Sequence, residues 1–301
     1  MLIFFKHILN YKKCLPLILL LLSQVNIHAH SRMKKIGKAI IISDSLPKRI
    51  RESSGLIFYQ NSLWTIDDSG DGPLIFVMDS AGHKLLRTIE VANANNYDWE
   101  EIAQDDSYIY VGDFGNDYGL RDSLTIYKIG KNKIPSNGNV KVNAEKINFT
   151  YSNKIHSKKH KLQRSNYDCE AMVCIDDSLV LFSKSWQDYK CNIYKISKKP
   201  GTYELKPTST IYINGLVTGA TLNDDNSKLA LVGYYHYVPF VYVINHFEPN
   251  NINTDKALRR GFPRLTGYQT EGIAFVSDNE LLISSEYNKV RRGILMKVKI
   301  K

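Results

Sequence analysis

One short unit recurs five times along this chain. It opens at Ser54-Gly55-Leu56, Glu100-Glu101-Ile102-Ala103, Glu170-Ala171-Met172, Thr218-Gly219-Ala220 and Glu271-Gly272-Ile273-Ala274, at spacings of 46, 70, 48 and 53 residues. Each opening leads into a small or apolar strand, a polar pair and a second apolar strand. A period of about 45 to 50 residues suits a ring of small sheets, whereas helical solenoids of similar period need amphipathic helices. Helical periodicity is almost absent beyond the first thirty residues; short runs rich in Ile, Val, Tyr, Leu and Thr are broken by Gly, Asn, Asp and Pro. The expected fold is all-β, a five-bladed β-propeller, with a six-bladed ring as the alternative.

The fifth unit reads as three strands, Gly272 to Val276, Glu280 to Ser285 and Gly293 to Lys299, and no sequence remains for a fourth. The apolar run Lys38 to Ser43, placed before the first unit, is expected to supply it, so that the N-terminal strand closes the last blade and removes exposed sheet edges. The same register puts outer strands at Lys84 to Val91, Glu145 to Tyr151, Pro207 to Ile213 and Ala257 to Leu265. The long second spacing becomes one insertion, Ser152 to Asn166, rich in Lys and His. His156 and His160 have helical metal spacing but belong to this solvated loop. Alternating apolar residues such as Leu63, Ile66, Ile109, Val111, Leu181, Leu229, Leu231, Leu281 and Ile283 are expected to pack sheet against sheet within one domain, residues 30–301.

Residues 1–29 read as a secretory signal peptide. Lys6, Lys12 and Lys13 precede an apolar run from Cys14 to Leu22, and the small residue Ala29 follows. Nine apolar residues fall well short of the roughly 20 that span a bilayer, so no membrane span is expected after cleavage, and the mature chain is expected to be secreted or periplasmic. The formal net charge of +10 falls to +7 once those three lysines are gone. The remaining positive charge lies mostly at loops and termini, without a groove-reading helix or an aromatic-and-basic strand, so there is no specific nucleic-acid signature. Cys169, Cys174 and Cys191 allow at most one disulfide; buried free thiols are the other reading. The spacing does not make a zinc site.

In a propeller the inner strand starts on the face where the second strand ends, so two rings of side chains share one mouth of the central channel. The first ring is Ser54, Glu100, Glu170, Thr218 and Glu271; the second is read as Asp68, Asp113, Lys184, Tyr234 and Glu286. Asp98 and Asp168, each two residues before a ring glutamate, add two more acids. Such a cluster needs protons, basic partners or a bound cation. Oxygen donors of this kind suit a hard cation, calcium first, far better than zinc. The competing structural reading is that Glu100, Glu170 and Glu271 accept backbone N–H bonds from neighbouring blades and hold the ring together. Arg121 and Lys184 are candidates to pair with the acids or to hold an anionic substrate. Tyr234 and His236 are candidate substrate contacts, although His236 reads first as a surface-loop residue. Trp99 reads as a core residue with a pocket cap as the alternative, and there is no nucleophilic serine elbow.

These motifs resemble a family of secreted bacterial propellers related to the esterase-like, phytase-like and lactonase-type propeller enzymes. The pieces that carry the resemblance are Ser54-Gly55-Leu56 with Leu63-Trp64 and Asp68-Ser69-Gly70, Asp98-Trp99-Glu100-Glu101-Ile102-Ala103, Gly112-Asp113-Phe114-Gly115-Asn116 with Arg121, Asp168-Cys169-Glu170-Ala171-Met172, Val217-Thr218-Gly219-Ala220 and Glu271-Gly272-Ile273-Ala274. The resemblance implies a divalent metal in the mouth, with Glu100, Glu170, Glu271 and Asp113 as ligands. Ser54, Thr218 and Cys169 depart from the pattern. Two functions follow as expectations. One is a metal-dependent hydrolase of an ester, lactone or phosphoester, with Glu101 or Asp98 taking a proton from water. The other is a non-catalytic binding or scaffold propeller that recognises a glycan, peptide or surface protein. In either case a small-molecule or surface ligand is expected at the channel mouth.

Overall fold

The computed structural model describes residues 35–70, 72–152, 154 and 162–301; the targeting segment, His156, His160 and much of the expected insertion lie outside them. Residues 36–301 make one compact unit. After β1 (Ile36–Ser43), the first blade runs β2 (Ser53–Tyr59), β3 (Ser62–Asp67), β4 (Leu74–Asp79) and β5 (Leu85–Val91). The second holds β6 (Trp99–Gln104), β7 (Tyr108–Asp113) and β8 (Leu124–Gly130), then β9 (Val140–Val142) and β10 (Glu145–Tyr151). The third continues with β11 (Cys169–Ile175), β12 (Ser178–Ser183), β13 (Cys191–Ser197), β14 (Gly201–Leu205) and β15 (Ser209–Ile211). The fourth is β16 (Leu216–Leu222), β17 (Lys228–Tyr235), β18 (Val238–Asn245) and β19 (Leu258–Gly261); the fifth is β20 (Thr270–Ser277), β21 (Glu280–Ser285) and β22 (Leu295–Ile300). Five separate sheets result, and the chain is a five-bladed β-propeller.

β1 pairs antiparallel with β22 in the sheet β1-β22-β21-β20, so the N-terminal strand completes the last blade as the sequence predicts. Two outer strands are shorter than expected. Residues 257–265 give only β19 before Pro263 opens a 3-10 turn, because proline has no N–H for the ladder and fixes φ. Residues 207–213 keep only β15. Two strands have no counterpart in the sequence reading. β9 runs parallel to β5, and β14 runs parallel to β10, so in each case a segment of the next blade covers the outer edge of the previous sheet. That arrangement shields edges that would otherwise offer unpaired backbone groups.

The core is divided into five apolar layers, one between each pair of neighbouring blades. Alternation within single strands produces this. In β12, Leu179 and Leu181 face the second blade while Val180 and Phe182 face the fourth; in β17, Leu229 and Leu231 face the third while Ala230 and Val232 face the fifth. Strands buried on both faces must be apolar at every position, hence the unbroken runs. The layer between first and fifth blades, with Leu56, Phe76, Leu282 and Leu295, closes the ring. Trp99 is fully buried in the layer between first and second blades. Cys169, Cys174 and Cys191 are free thiols, and burial raises each well above the usual range. Among the described residues no helix is long and apolar enough to cross a membrane.

Candidate functional site

At the opening of every inner strand the pairing to the second strand skips. The breaks fall between Ser53 and Leu56, Trp99 and Glu101, Cys169 and Ala171, Val217 and Gly219, and Thr270 and Ile273. A bulge takes a residue out of the ladder and re-aims its side chain. The residues taken out include Ser54, Glu100, Glu170, Thr218 and Glu271, the first ring, and all five are buried. The two hydroxyl members tie blades together: Ser54 Oγ donates to the Glu100 carbonyl at 2.5 Å, and Thr218 Oγ1 to the Thr270 carbonyl at 2.6 Å.

The three glutamates converge with a second set of acids. Asp68, Asp98 and Glu100 place one carboxylate oxygen each within 4.8 Å of one another, and Asp117, Asp168 and Glu170 do the same. The two groups are built alike. Each joins an Asp-x-Glu at the start of an inner strand, Asp98-Trp99-Glu100 or Asp168-Cys169-Glu170, to an acid of the preceding blade. Glu271 stands beside them, close enough to feel Lys184, Asp68 and Asp117. Its Oε2 is buried without a hydrogen-bond partner, as is Oδ1 of Asp68.

Burial and mutual repulsion hold these acids above the ordinary carboxylate range. Desolvation and Glu286 push Asp68 up to about 7, and desolvation and Asp68 push Asp98 up to about 8. Asp68 and Asp98 are hydrogen-bonded side chain to side chain, so one proton is shared between them. Burial brings Asp168 and Glu271 to about 7, and it raises Glu100, Glu170 and Glu286 well above their usual value. Lys184 is the cation set among them. Its Nζ lies 2.9 Å from Glu170 and sits over the rings of Trp186 and Tyr234, at 5.0 and 5.7 Å from their centroids. The surrounding acids hold its ammonium well above the normal lysine range.

The turn Gly112-Asp113-Phe114-Gly115-Asn116 supports this cluster from behind. A Cβ on Gly115 would fall 2.1 Å from Glu100 Oε1 and 2.4 Å from Asp98 Oδ2, so only glycine lets the turn approach so closely. The Asn116 N–H donates to Asp168 Oδ1 at 2.6 Å, and the Trp186 indole N–H to Asp168 Oδ2 at 2.8 Å. Asp113 itself does not join the mouth acids. Its Oδ1 accepts from Arg121 at 2.6 Å and from the Asp98 N–H at 3.2 Å. Arg121 also donates to the carbonyls of Gly115 and Asp113, which makes it a brace of this turn.

The reason is register. Ser53 pairs with Asp67, Trp99 with Asp113, Cys169 with Ser183 and Thr270 with Ser285, so Asp113 is the counterpart of Asp67 and not of Asp68, Lys184 or Glu286. The second ring as read from sequence slips by one residue in the second blade, and a slip of one changes the face. The acid that blade contributes to the mouth is Asp117, one residue beyond the turn motif that the sequence analysis names.

Glu101 also differs from expectation. It is fully buried and lies where the other four blades have Gly55, Ala171, Gly219 and Gly272. Its carboxylate accepts the N–H of Ile102 at 3.0 Å and of Ala220 at 2.9 Å, and further N–H bonds from Leu56 and Met172. Four blades thus donate to one side chain at the waist of the channel. Burial pushes the Glu101 carboxyl well above the usual carboxylate range, and the four N–H donors, which match the four lone-pair sites of a carboxylate, pull against that push. The interblade amide bonds expected of Glu100, Glu170 and Glu271 belong to Glu101, whose two carboxylate oxygens face backbone amides. His236, on an exposed turn, packs against Tyr235 and Tyr189 with centroids 4.2 and 6.3 Å away.

No family model matches the chain, and no curated protein matches it in sequence. Solved structures do match in shape. A glucose dehydrogenase superposes with a TM-score of 0.50 at 9% identity, covering 86% of this chain and 99% of that one. A nidogen/laminin complex gives 0.42 at 14% identity, covering 86% and 96%. A structural genomics protein of unknown function from Bacteroides thetaiotaomicron VPI-5482 gives 0.42 at 11%, covering 89% and 76%. At such identities the likeness concerns the fold alone, and the first of these comparisons places the chain among the β-propellers.

Proposed function

We propose that the acidic mouth binds a divalent cation, calcium by the chemistry of its donors, and acts as a hydrolase of an ester, lactone or phosphoester. The observation that carries this reading is the pair of unpartnered buried oxygens, Glu271 Oε2 and Asp68 Oδ1, within a cluster whose carboxylates outnumber their basic partner. Such a site is costly without a positive charge to fill it. An all-oxygen donor set fits calcium, and Asp68, Asp98 and Glu100, with Glu271 beside them, would hold it. The ion would polarise a carbonyl or phosphoryl oxygen and lower the pKa of a bound water.

The chain's own residues divide the remaining work. Asp98, at about 8 without the ion, would give up the proton it shares with Asp68 once a cation is bound, which would free its carboxylate to accept one from water. Lys184, fixed by Glu170, places positive charge where an anionic group of the substrate enters. Tyr234 and Trp186 flank that ammonium and exclude water from it. Arg121 and Asp113 keep the Gly115 turn against Asp98 and Glu100.

The test is elemental analysis of the purified full chain, then thermal melting with and without chelator, then a panel of chromogenic esters, lactones and phosphates. Bound calcium together with chelator-sensitive turnover is expected. Calcium without turnover would leave a non-catalytic binding propeller, and absence of both would overturn the site itself.

A further inference from the structure

A cavity lies on the opposite face of the disk from the acidic mouth. It is a cup of ≈ 690 Å³ lined by all five inner strands, Leu56 to Tyr59 and Ala274 to Phe275 among them. Leu56, Ile102, Met172 and Ala220, whose N–H groups hold Glu101, line it too, so the Glu101 clasp separates the cup from the mouth. A groove of ≈ 450 Å³ shares Asp105, Asp106, Asp176 and Lys198 with the cup and extends past Tyr108 and Lys128. Cup and groove share this wall, and each falls within the size range of ligand sites.

Two features define what would fill it. Every inner strand is the terminal strand of its sheet, so β2, β6, β11, β16 and β20 each turn a ladder edge to the channel. Such edges pair with extended chains. The second feature is Lys131. It lines the cup half-buried, donates to Gln104 Oε1 at 2.9 Å and lies 4.0 Å from the Tyr59 ring centroid, yet no carboxylate among the described residues comes within ion-pair distance of it. Lys198, on the same wall, is already paired with Asp105 at 3.0 Å. The exposed acids Asp106, Asp176 and Asp224 surround the opening. A chain with one terminal carboxylate inside and polar or basic groups outside satisfies all of these.

We infer that the cup is a second ligand site, for an extended peptide whose C-terminal carboxylate pairs with Lys131 while its backbone bonds to an inner-strand edge and the rest follows the groove. This site is independent of the mouth and of any cation there. The test uses the full chain with chelator present, titrated by nuclear magnetic resonance with trialanine, its C-terminal amide and the neutral sugar maltotriose. Trialanine is expected to shift resonances of Tyr59, Gln104 and Lys131, and the amide to bind about tenfold more weakly, since one ion-assisted bond is lost. Lys131→Met, checked by an unchanged melting point, is expected to erase the difference between acid and amide. Equal binding of acid and amide by the unsubstituted protein would overturn the proposal. So would maltotriose shifting these residues where trialanine does not, or no probe moving them at millimolar concentration.

Discussion

The waist of the channel and its mouth both bury carboxylates, and they meet the cost of doing so in opposite ways. At the waist a single acid, Glu101, takes four backbone N–H bonds from four blades and is saturated. In the mouth, one residue along the chain, Glu100 joins a crowd of acids that share one lysine and leave two buried oxygens unpartnered. A saturated carboxylate holds structure together, whereas an unsaturated cluster stores a demand for protons or a cation. The difference is set by the bulge at the head of the inner strand, which separates two adjacent glutamates into unlike surroundings.

The sharpest way to break the comparison is to neutralise the waist. Glu101→Gln presents an NH2 group to backbone N–H donors, and a loss of about 3 kcal/mol or more in unfolding free energy is expected by chemical denaturation. In the mouth the equivalent change should act the other way. Glu100→Gln removes like-charge repulsion and leaves the Lys184–Glu170 pair in place, so the chelated protein should melt higher than its parent at pH 8, while stabilisation by calcium falls. Equal destabilisation at both places would end the distinction.

A pH series sharpens it further. The folded-state values of Asp68, Asp168 and Glu271, at about 7, and Asp98, at about 8, lie above those of an unfolded chain, so the folded protein binds more protons in between. Stability from these groups is then fully present below about pH 4 and is lost as the pH rises through 7 to 8. The chelated protein should melt lower at pH 8 than at pH 5.5, by roughly 5 °C or more, and calcium should flatten the profile. A smaller effect is expected from Gly115→Ala, whose added methyl meets Glu100 and Asp98; calcium affinity should fall about tenfold in a binding titration, with little change in the chelated melting point. Least of all, His236→Ala on its exposed turn should alter stability by less than about 0.5 kcal/mol and leave calcium binding unchanged.

Much of the architecture was legible because a propeller repeats its local chemistry. β10 and β21 fall on their sequence-derived bounds, and the ring closure by β1 followed from counting strands in the last unit. β9 and β14 were not legible, since three to five residues that add to another blade's edge carry no repeat and no long-range label. Within the site, the convergence of Glu100, Glu170 and Glu271 followed from their shared place in the repeat. Asp117 did not, because it lies beyond the strand in a turn whose path depends on Gly115 and Asn116.

What the amino-acid order settled by itself was periodicity: which residues alternate, where strands stop and which positions recur around one axis, all consequences of local backbone chemistry. Tertiary structure alone decided which of two neighbouring glutamates meets amides and which meets other acids, and whether Asp113 or Asp117 reaches the mouth. Those outcomes depend on bulges and registers between distant strands, where a displacement of one residue exchanges the two faces of a sheet.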